Sequence, residues 1–432
     1  MNFAIYTLGC KVNQYESQAV AELLKAQGFG QVSFADKPDI IFINSCSVTA
    51  ESDRKTRQAV RKFKKNNENA IIVLMGCMTS AHPELSDSLP EADIVVGNKN
   101  YKDLVATLKK HIKERERIVN IEQHKKGEGY SDISITDFSE HTRAFMKIED
   151  GCDRFCTYCI IPYARGFVRS RDLSDIKTEA ENLAKNGYKE VVLVGINLSS
   201  FGKDNGLNLY DAVKTVSEVE GIERVRLGSL EPDLMDDELL KNLKTVKKFC
   251  PQFHLSLQSG CDETLKRMNR HYDTAFYYDL ICRIREIFEN AAITTDIMVG
   301  FAGETEKEFE ESLAFAKKVG FAKSHIFAYS RRKGTVADKM SGHITNAEKA
   351  ERSRKMIEAT LNSEREFLKS QCGKVANVLI ETYKDGFLSG FTENYTPVKI
   401  KDDEIHLGKI KKVMLCEVLN ECVLGKFLDK EE

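Results

Sequence analysis

The chain has 432 residues, enough for two or three domains with sizeable cores, and its 42% hydrophobic and 30% charged residues mark an ordinary globular protein. Lys and Arg number 64 against 66 Asp and Glu, so the near-zero charge neither demands nor excludes an RNA partner; clustering of the basic residues decides that. The opening MNFAIYTLGCKVNQYES lacks a secretory pattern and no apolar run reaches about 18 residues, which predicts a cytoplasmic protein with no membrane partner. Twelve cysteines in a reducing compartment argue against a disulfide framework.

In chain order, residues 1–112 alternate apolar runs with helical patterns: FAIYTLG, a helix from about Glu16 to Gln27, DIIFINS, a basic helix from about Asp53, AIIVLMG and ADIVVGN. Strands separated by helices pair in parallel, which predicts a small parallel α/β domain. The first three strands run into Cys10, Cys46 and Cys77. The carboxyl ends of parallel strands share one edge, so these distant cysteines can meet. Residues 113–138, polar and charged, read as a linker or an edge segment. A second β/α series fills 139–367: RAFMKIEDG, EVVLVGIN, RVRLGSLEP, FHLSLQSG, ITTDIMVGF and SHIFAYS, six units of a partial (β/α)6 barrel. A helix from about Asn346 to Cys372 leads into residues 368–432, whose short alternating runs and Gly and Asp turns predict a small all-β barrel.

The densest chemistry lies in GCDRFCTYCIIPYARG, residues 151–166, where Cys152, Cys156 and Cys159 are close enough to bind one metal centre. A structural zinc site needs a fourth protein ligand, and no further His or Cys lies within ten residues on either side; His141 is the nearest. An iron–sulfur cluster on three cysteines leaves one iron free to bind something else.

CDRFCTYC, with the aromatic Tyr158 before its last cysteine, resembles the CxxxCxxC motif of the radical S-adenosylmethionine (SAM) enzymes. Taken with TLGCKVNQYES, INSCSVTAESDRKTR, the Gly76-Cys77 pair, LSLQSGCDETLKRMNRHY and DIMVGFAGETEKEFE, the chain resembles the radical SAM methylthiotransferases over essentially its whole length. That family's order is a methylthiotransferase domain, a radical SAM domain and a TRAM (OB-like) domain. The phrase from Lys11 to Ser17 is most similar to the branch acting on N6-threonylcarbamoyladenosine in tRNA.

The resemblance implies two 4Fe-4S clusters, one on Cys152, Cys156 and Cys159 and an auxiliary one on Cys10, Cys46 and Cys77, each with a free iron. It implies that the first binds SAM and cleaves it to a 5′-deoxyadenosyl radical, and that one SAM methylates sulfur on the auxiliary cluster while a second drives attachment to C2 of the adenosine. Implied partners are a tRNA anticodon stem-loop carrying threonylcarbamoyladenosine, an electron donor such as flavodoxin or ferredoxin, and a sulfur donor. Isopentenyladenosine in tRNA and a ribosomal protein aspartate are alternative substrates within the family. A non-catalytic iron–sulfur RNA-binding protein is the alternative outside it.

Expected SAM contacts, besides Tyr158, are the strand-end residues Gly195, Asn197, Ser229, Glu231, Ser256, Gln258 and Asp296. Arg54, Arg57, Arg61 and Lys64 fall near one helix face, and with Arg165 and Arg171 after the cysteine loop they are candidate RNA contacts. Lys399 and Lys411 are candidates on the terminal β-barrel. Ala302, Arg331, Lys333 and Val336 depart from the family's pattern in loops that carry no cluster ligand. The six other cysteines have no consistent spacing and read as structural.

Overall fold

In the computed structural model, residues 1–99, 101–131, 133–138 and 142–428 are described, the side chain of Glu404 excepted. The amino-terminal unit is a six-stranded, wholly parallel sheet in the order Gly30–Gln31, Asn2–Thr7, Ile40–Ser45, Ile71–Gly76, Ile94–Val96, Ile118–Asn120. Every residue of Ile40–Ser45 and Ile71–Gly76 is buried, which is why neither shows a polar face: helices cover both faces, and the polar Asn44 and Ser45 come only at the carboxyl end of the first. Chain order reverses between Asn2–Thr7 and Ile40–Ser45, so a crevice opens there at the carboxyl ends of the strands. Cys10 and Cys46 follow those two strands, and Cys77 follows the next one.

One sequence expectation changes here and one alternative is decided. The first helix begins at Lys11 rather than near Glu16, with Cys10 as an N-cap whose side chain makes no capping bond. Of the two readings of 113–138, the edge segment is the one seen: Ile118–Asn120 is the sixth strand, at the edge of the sheet, and Ile133, Ile135 and Phe138 are buried in the core shared with the next unit. Tyr15 anchors this stretch, donating to the Ile133 carbonyl at 2.9 Å.

The second unit has seven parallel strands in six positions, two of them consecutive pieces of one position. Ala144–Lys147, Glu190–Val194 and Arg224–Leu227 form one sheet; Ser229–Leu230, Gln252–Leu255, Ala292–Val299 and Lys323–Ala328 form the next. The chain passes from one to the other across Gly228, giving an open barrel with its helices outside. Its core is continuous with that of the amino-terminal unit: Val12, Tyr15 and Ala19 belong to the same cluster as Met146, Ile148 and Leu193.

The helix Asn346–Gln371 leads to a closed five-stranded barrel in the order Val375–Lys384, Phe387–Thr392, Pro397–Lys401, Cys422–Phe427, Ile410–Leu419. Alternation of Val378, Ile380, Leu388, Val398, Ile400, Val413 and Val423 fills its interior. Arginines dock it: Arg224 donates to the Asn377 carbonyl at 2.6 Å and Arg226 to that of Glu393 at 2.9 Å. Arg143 pairs with Glu381 at 2.5 Å and lies against the stacked rings of Phe391 and Tyr395. No described helix is long and apolar enough to cross a membrane.

Candidate active site

The cysteine loop leaves the first barrel strand through Glu149–Asp150, which pairs with Arg169–Ser170. Gly151 makes the turn at φ +86°, and a Cβ there would lie 1.9 Å from the Phe167 carbonyl oxygen, so no other residue fits. Cys152 N–H donates to Gly166 O at 2.9 Å and Cys159 N–H to Cys156 O at 2.9 Å. Thr157 donates to Met268 O at 3.0 Å and to Arg267 O at 2.8 Å, and accepts from Ala337 N–H at 2.8 Å. Residues that follow two later strands of the barrel thus hold the loop.

Burial pushes the Cys159 thiol up to about 12 and the Cys152 thiol higher still. Arg270, almost fully buried, donates from Nη1 to Cys156 Sγ at 3.1 Å. The same guanidinium pairs with Glu231, lies 5.0 Å from the Tyr272 ring and donates to Ser256 O at 3.3 Å.

The expected SAM contacts have different surroundings. Tyr158 packs edge-on against Phe301, with centroids 6.3 Å apart. A Cβ on Gly195 would come within 2.6 Å of Glu149 Oε2, so the backbone there runs against that carboxyl. Asn197 is buried; its N–H donates to Glu149 at 2.7 Å and its amide turns to Ser200 Oγ at 2.7 Å. Ser229 is exposed, whereas Ser256 offers its carbonyl to Arg270 and Tyr272. Gln258 adopts φ +65° and bridges to the strand Ala292–Val299 through Asp296 O and Met298 N–H. The Asp296 carboxylate sits 3.2 Å from His254 Nε2.

At the amino-terminal crevice, Gly9 turns at φ +106° so close to Cys46 that a Cβ would lie 2.8 Å from the Cys46 Cβ. Cys10 is exposed, while Cys46 and Cys77 are buried. Burial pushes Cys77 up to about 12. Cys46 Sγ accepts from Val48 N–H at 3.5 Å. Cys77 Sγ accepts from Arg165 Nε at 3.1 Å. That guanidinium is fully buried and also donates to Glu16 at 2.7 and 2.9 Å, Asn13 at 3.1 Å and Asp150 at 3.1 Å. Lys147 pairs with Glu16 and Asp150 at 2.8 and 2.6 Å, and Arg169 reaches Asp150 at 3.4 Å. Burial opposes ionisation of Asp150, but Lys147, Arg165 and Arg169 hold its carboxyl well below the ordinary range. Two carboxylates face three cations, leaving one positive charge in excess beside Cys77.

Among the described residues, no three His, Cys, Asp or Glu side chains close around a point that would hold a single metal ion. His141 lies outside the described residues. The donor sets fit iron–sulfur clusters: each is a trio of soft sulfur ligands, and in each a buried arginine directs an N–H at one sulfur. An arginine donor favours anionic, metal-bound sulfur over a neutral thiol.

The basic candidates divide. Arg54 pairs with Glu51 at 2.5 Å, Arg61 with Glu91 at 3.6 Å, and Arg57 is half-buried on the same exposed helix, Ala50–Asn66. Lys64 is tied to Asp93 at 3.0 Å and to Ala70 O at 2.9 Å, clamping helix to sheet. Lys399 is exposed and Lys411 half-exposed on the terminal barrel. Arg165 and Arg171 are corrected: both are buried in ion pairs, Arg165 as above and Arg171 with Glu179 at 2.7 Å, so neither presents a surface to RNA. Sequence reasoning passed over Arg270, Glu149 and Arg332. Arg270 stood inside LSLQSGCDETLKRMNRHY, where a lone arginine gives no sign of burial. Arg332 joins the barrel to the crevice, donating to Ser47 Oγ at 2.8 Å and Asp53 at 2.5 Å.

Residues 2–97 match the model of the uncharacterized protein family UPF0004, and residues 146–316 that of the Radical SAM superfamily. The structure of TsrM from Kitasatospora setae, a radical S-adenosylmethionine methyltransferase with cobalamin and a [4Fe-4S] cluster bound, superposes with a TM-score of 0.58 at 13% identity, over 90% of this chain and 80% of that one. The chain therefore has the radical SAM fold. It is 35% identical over 421 residues to the threonylcarbamoyladenosine tRNA methylthiotransferase MtaB of Bacillus subtilis, covering 95% of this chain and 93% of that protein. For the protein of the same name from Aquifex aeolicus the identity is 37% over 420 residues, 96% and 100% of the two chains. The tRNA-2-methylthio-N(6)-dimethylallyladenosine synthase of Clostridium perfringens is 33% identical over 438 residues, 99% and 98%. The chain belongs to the radical SAM methylthiotransferase family, whose cofactors are a 4Fe-4S cluster and SAM.

Proposed function

We propose that this enzyme adds a methylthio group to C2 of N6-threonylcarbamoyladenosine beside the anticodon of tRNA, using two 4Fe-4S clusters and two SAM molecules. The observation that carries the two-cluster reading is Arg165: one buried guanidinium touches Cys77 of the crevice and Asp150, two residues before Cys152. One side chain that joins a cysteine of the first trio to the residue leading into the second suits a reaction that needs both centres near one substrate carbon. The likeness to relatives named for threonylcarbamoyladenosine supports the substrate.

When bound, the reduced cluster and SAM supply a radical able to activate an aromatic C–H, which no side chain can do. The chain's own residues provide the setting. Cys152, Cys156 and Cys159 hold the catalytic cluster, and Arg270 fixes the sulfur of Cys156. Arg270 also keeps Glu231 at the barrel mouth. Burial pushes the Glu149 carboxyl well above the ordinary carboxylate range, and it accepts from Asn197 N–H at 2.7 Å, fixing the turn after the second barrel strand. Cys10, Cys46 and Cys77 hold the auxiliary cluster, with Arg165 and Arg332 fixing that edge to the barrel. A flavodoxin- or ferredoxin-like donor supplies electrons and a separate donor replaces the sulfur consumed.

Nucleoside mass spectrometry of bulk tRNA from cells with and without the gene tests the reading. The methylthio form of threonylcarbamoyladenosine should appear only with the gene. Methylthio-isopentenyladenosine instead would move the substrate to that of the Clostridium relative, and no tRNA change would direct the search to a ribosomal protein.

A further inference from the structure

Three aromatic side chains on and after the cysteine loop stand in the open. Phe155, Tyr163 and Phe167 are 42%, 47% and 37% exposed. The Phe155 ring meets Tyr163 edge-on at 5.9 Å and Phe167 at 6.4 Å, so the three form one patch. None belongs to the clusters that make up the core, and contiguous exposed rings mark a binding surface more often than a packing accident.

The patch adjoins the reaction centre. Phe155 lies between Cys152 and Cys156 and adopts φ +48°, a torsion that a bulky residue takes only where its surroundings impose it. Asn269 imposes it in part, donating to Phe155 O at 3.3 Å and Arg154 O at 3.4 Å. Positive charge borders the rings: Lys126 Nζ lies 5.9 Å from the Phe167 centroid, and Lys125 beside it is exposed. Flat aromatic faces rimmed by lysines match one chemistry closely, that of unpaired nucleotides, whose bases stack and whose phosphates are anionic.

We propose that Phe155, Tyr163 and Phe167 form the platform on which unpaired bases flanking the target nucleotide stack, with Lys126 against a neighbouring phosphate. This rests on the RNA-substrate reading above. A target base brought to the cysteine loop must leave its own stack, and its neighbours then lose a stacking partner that these rings replace.

The test uses the full, cluster-reconstituted protein and an anticodon stem-loop RNA hairpin, with and without the threonylcarbamoyl group, in equilibrium binding at several salt concentrations. Tyr163→Leu and Phe167→Leu keep apolar bulk but lose the flat face; each should bind about 5- to 150-fold more weakly, the loss expected for one stacked base. Tyr163→Phe keeps the ring and should bind like the parent. Lys126→Ala should lower the slope of log affinity against log salt by about 0.7, as loss of one phosphate contact requires. Iron content per chain checks that each variant is folded, and the two leucine variants and Lys126→Ala stand as independent tests. Leucine variants that bind as tightly as the parent would overturn the platform while parent binding leaves the RNA reading intact. If the parent itself binds neither hairpin, both readings fall together. Leucine variants that bind RNA normally but can no longer be reduced by flavodoxin would reassign the patch to the electron donor.

Discussion

Arg165 donates to Cys77 Sγ at 3.1 Å from a position where its own side chain is entirely buried, 88 residues further along the chain. A buried cation persists only with anions around it, and here those are Glu16 and Asp150. The contact makes the crevice of one sheet and the cysteine loop of another parts of a single charged network.

Replacing Arg165 with Met should cost about 3–5 kcal/mol, because it leaves Glu16 and Asp150 short of a buried partner. Urea denaturation of the cluster-free protein measures it. Arg165→Lys keeps the charge but cannot serve Glu16, Asn13, Asp150 and Cys77 at once, and should fall between the two. A Met variant as stable as the parent would remove the network from the account.

Iron analysis separates the two trios. Anaerobically reconstituted protein should hold about eight irons per chain, and Ala in place of Cys152, Cys156 or Cys159 should leave about four. Those variants should lose SAM cleavage, whereas Ala at Cys10, Cys46 or Cys77 should keep much of it and lose sulfur insertion. Continued methylthiolation after loss of Cys10, Cys46 or Cys77 would sink the auxiliary assignment.

Arg270→Gln should slow formation of 5′-deoxyadenosine about 10- to 100-fold, the equivalent of one charged hydrogen bond to the Cys156 sulfur. Arg270→Lys, which retains the charge beside Glu231, should recover part of it. Equal rates for all three proteins would show that the contact plays no part.

Stability should carry a histidine signature. Burial, aided by Arg169, lowers His124 from 6.5 to about 4. The unfolded chain therefore takes up the proton first: the contribution is constant above about pH 7, declines as pH falls from 6.5 to 4, and levels off below. In His124→Gln that decline should be absent, so the urea midpoint of the parent should fall relative to the variant across this window. Parallel midpoint curves would contradict the burial of a neutral imidazole at this place.

Much of this architecture is legible in the order of residues, and for physical reasons. The runs before Cys46 and Cys77 are apolar but for Asn44 and Ser45 at the end of the first, because both faces of those strands are covered, and the cysteines then fall on one edge by topology alone. The helix start at Lys11 is not legible, since Cys10 supplies no capping bond and the charged first turn hides it. Ile118–Asn120 is too short, and Ile133, Ile135 and Phe138 too widely spaced among polar residues, to stand out from a linker. Arg165, Arg171 and Arg270 mislead most. An arginine looks the same in sequence whether it faces solvent or a buried carboxylate, and the Glu16 partner of Arg165 lies 149 residues away.

That separation also has a consequence in time. A ribosome adding about 5–20 residues per second releases Glu16 roughly 7–30 s before Arg165 follows. Within that interval, from the emergence of Cys77 until Lys147 and then Arg165 follow, the nascent amino-terminal sheet has its three cysteines but not the cations that neutralise Glu16 beside them. The amino-terminal region is thus a half-built structure during synthesis rather than a self-sufficient module, and its crevice closes only once the cysteine loop of the barrel has emerged.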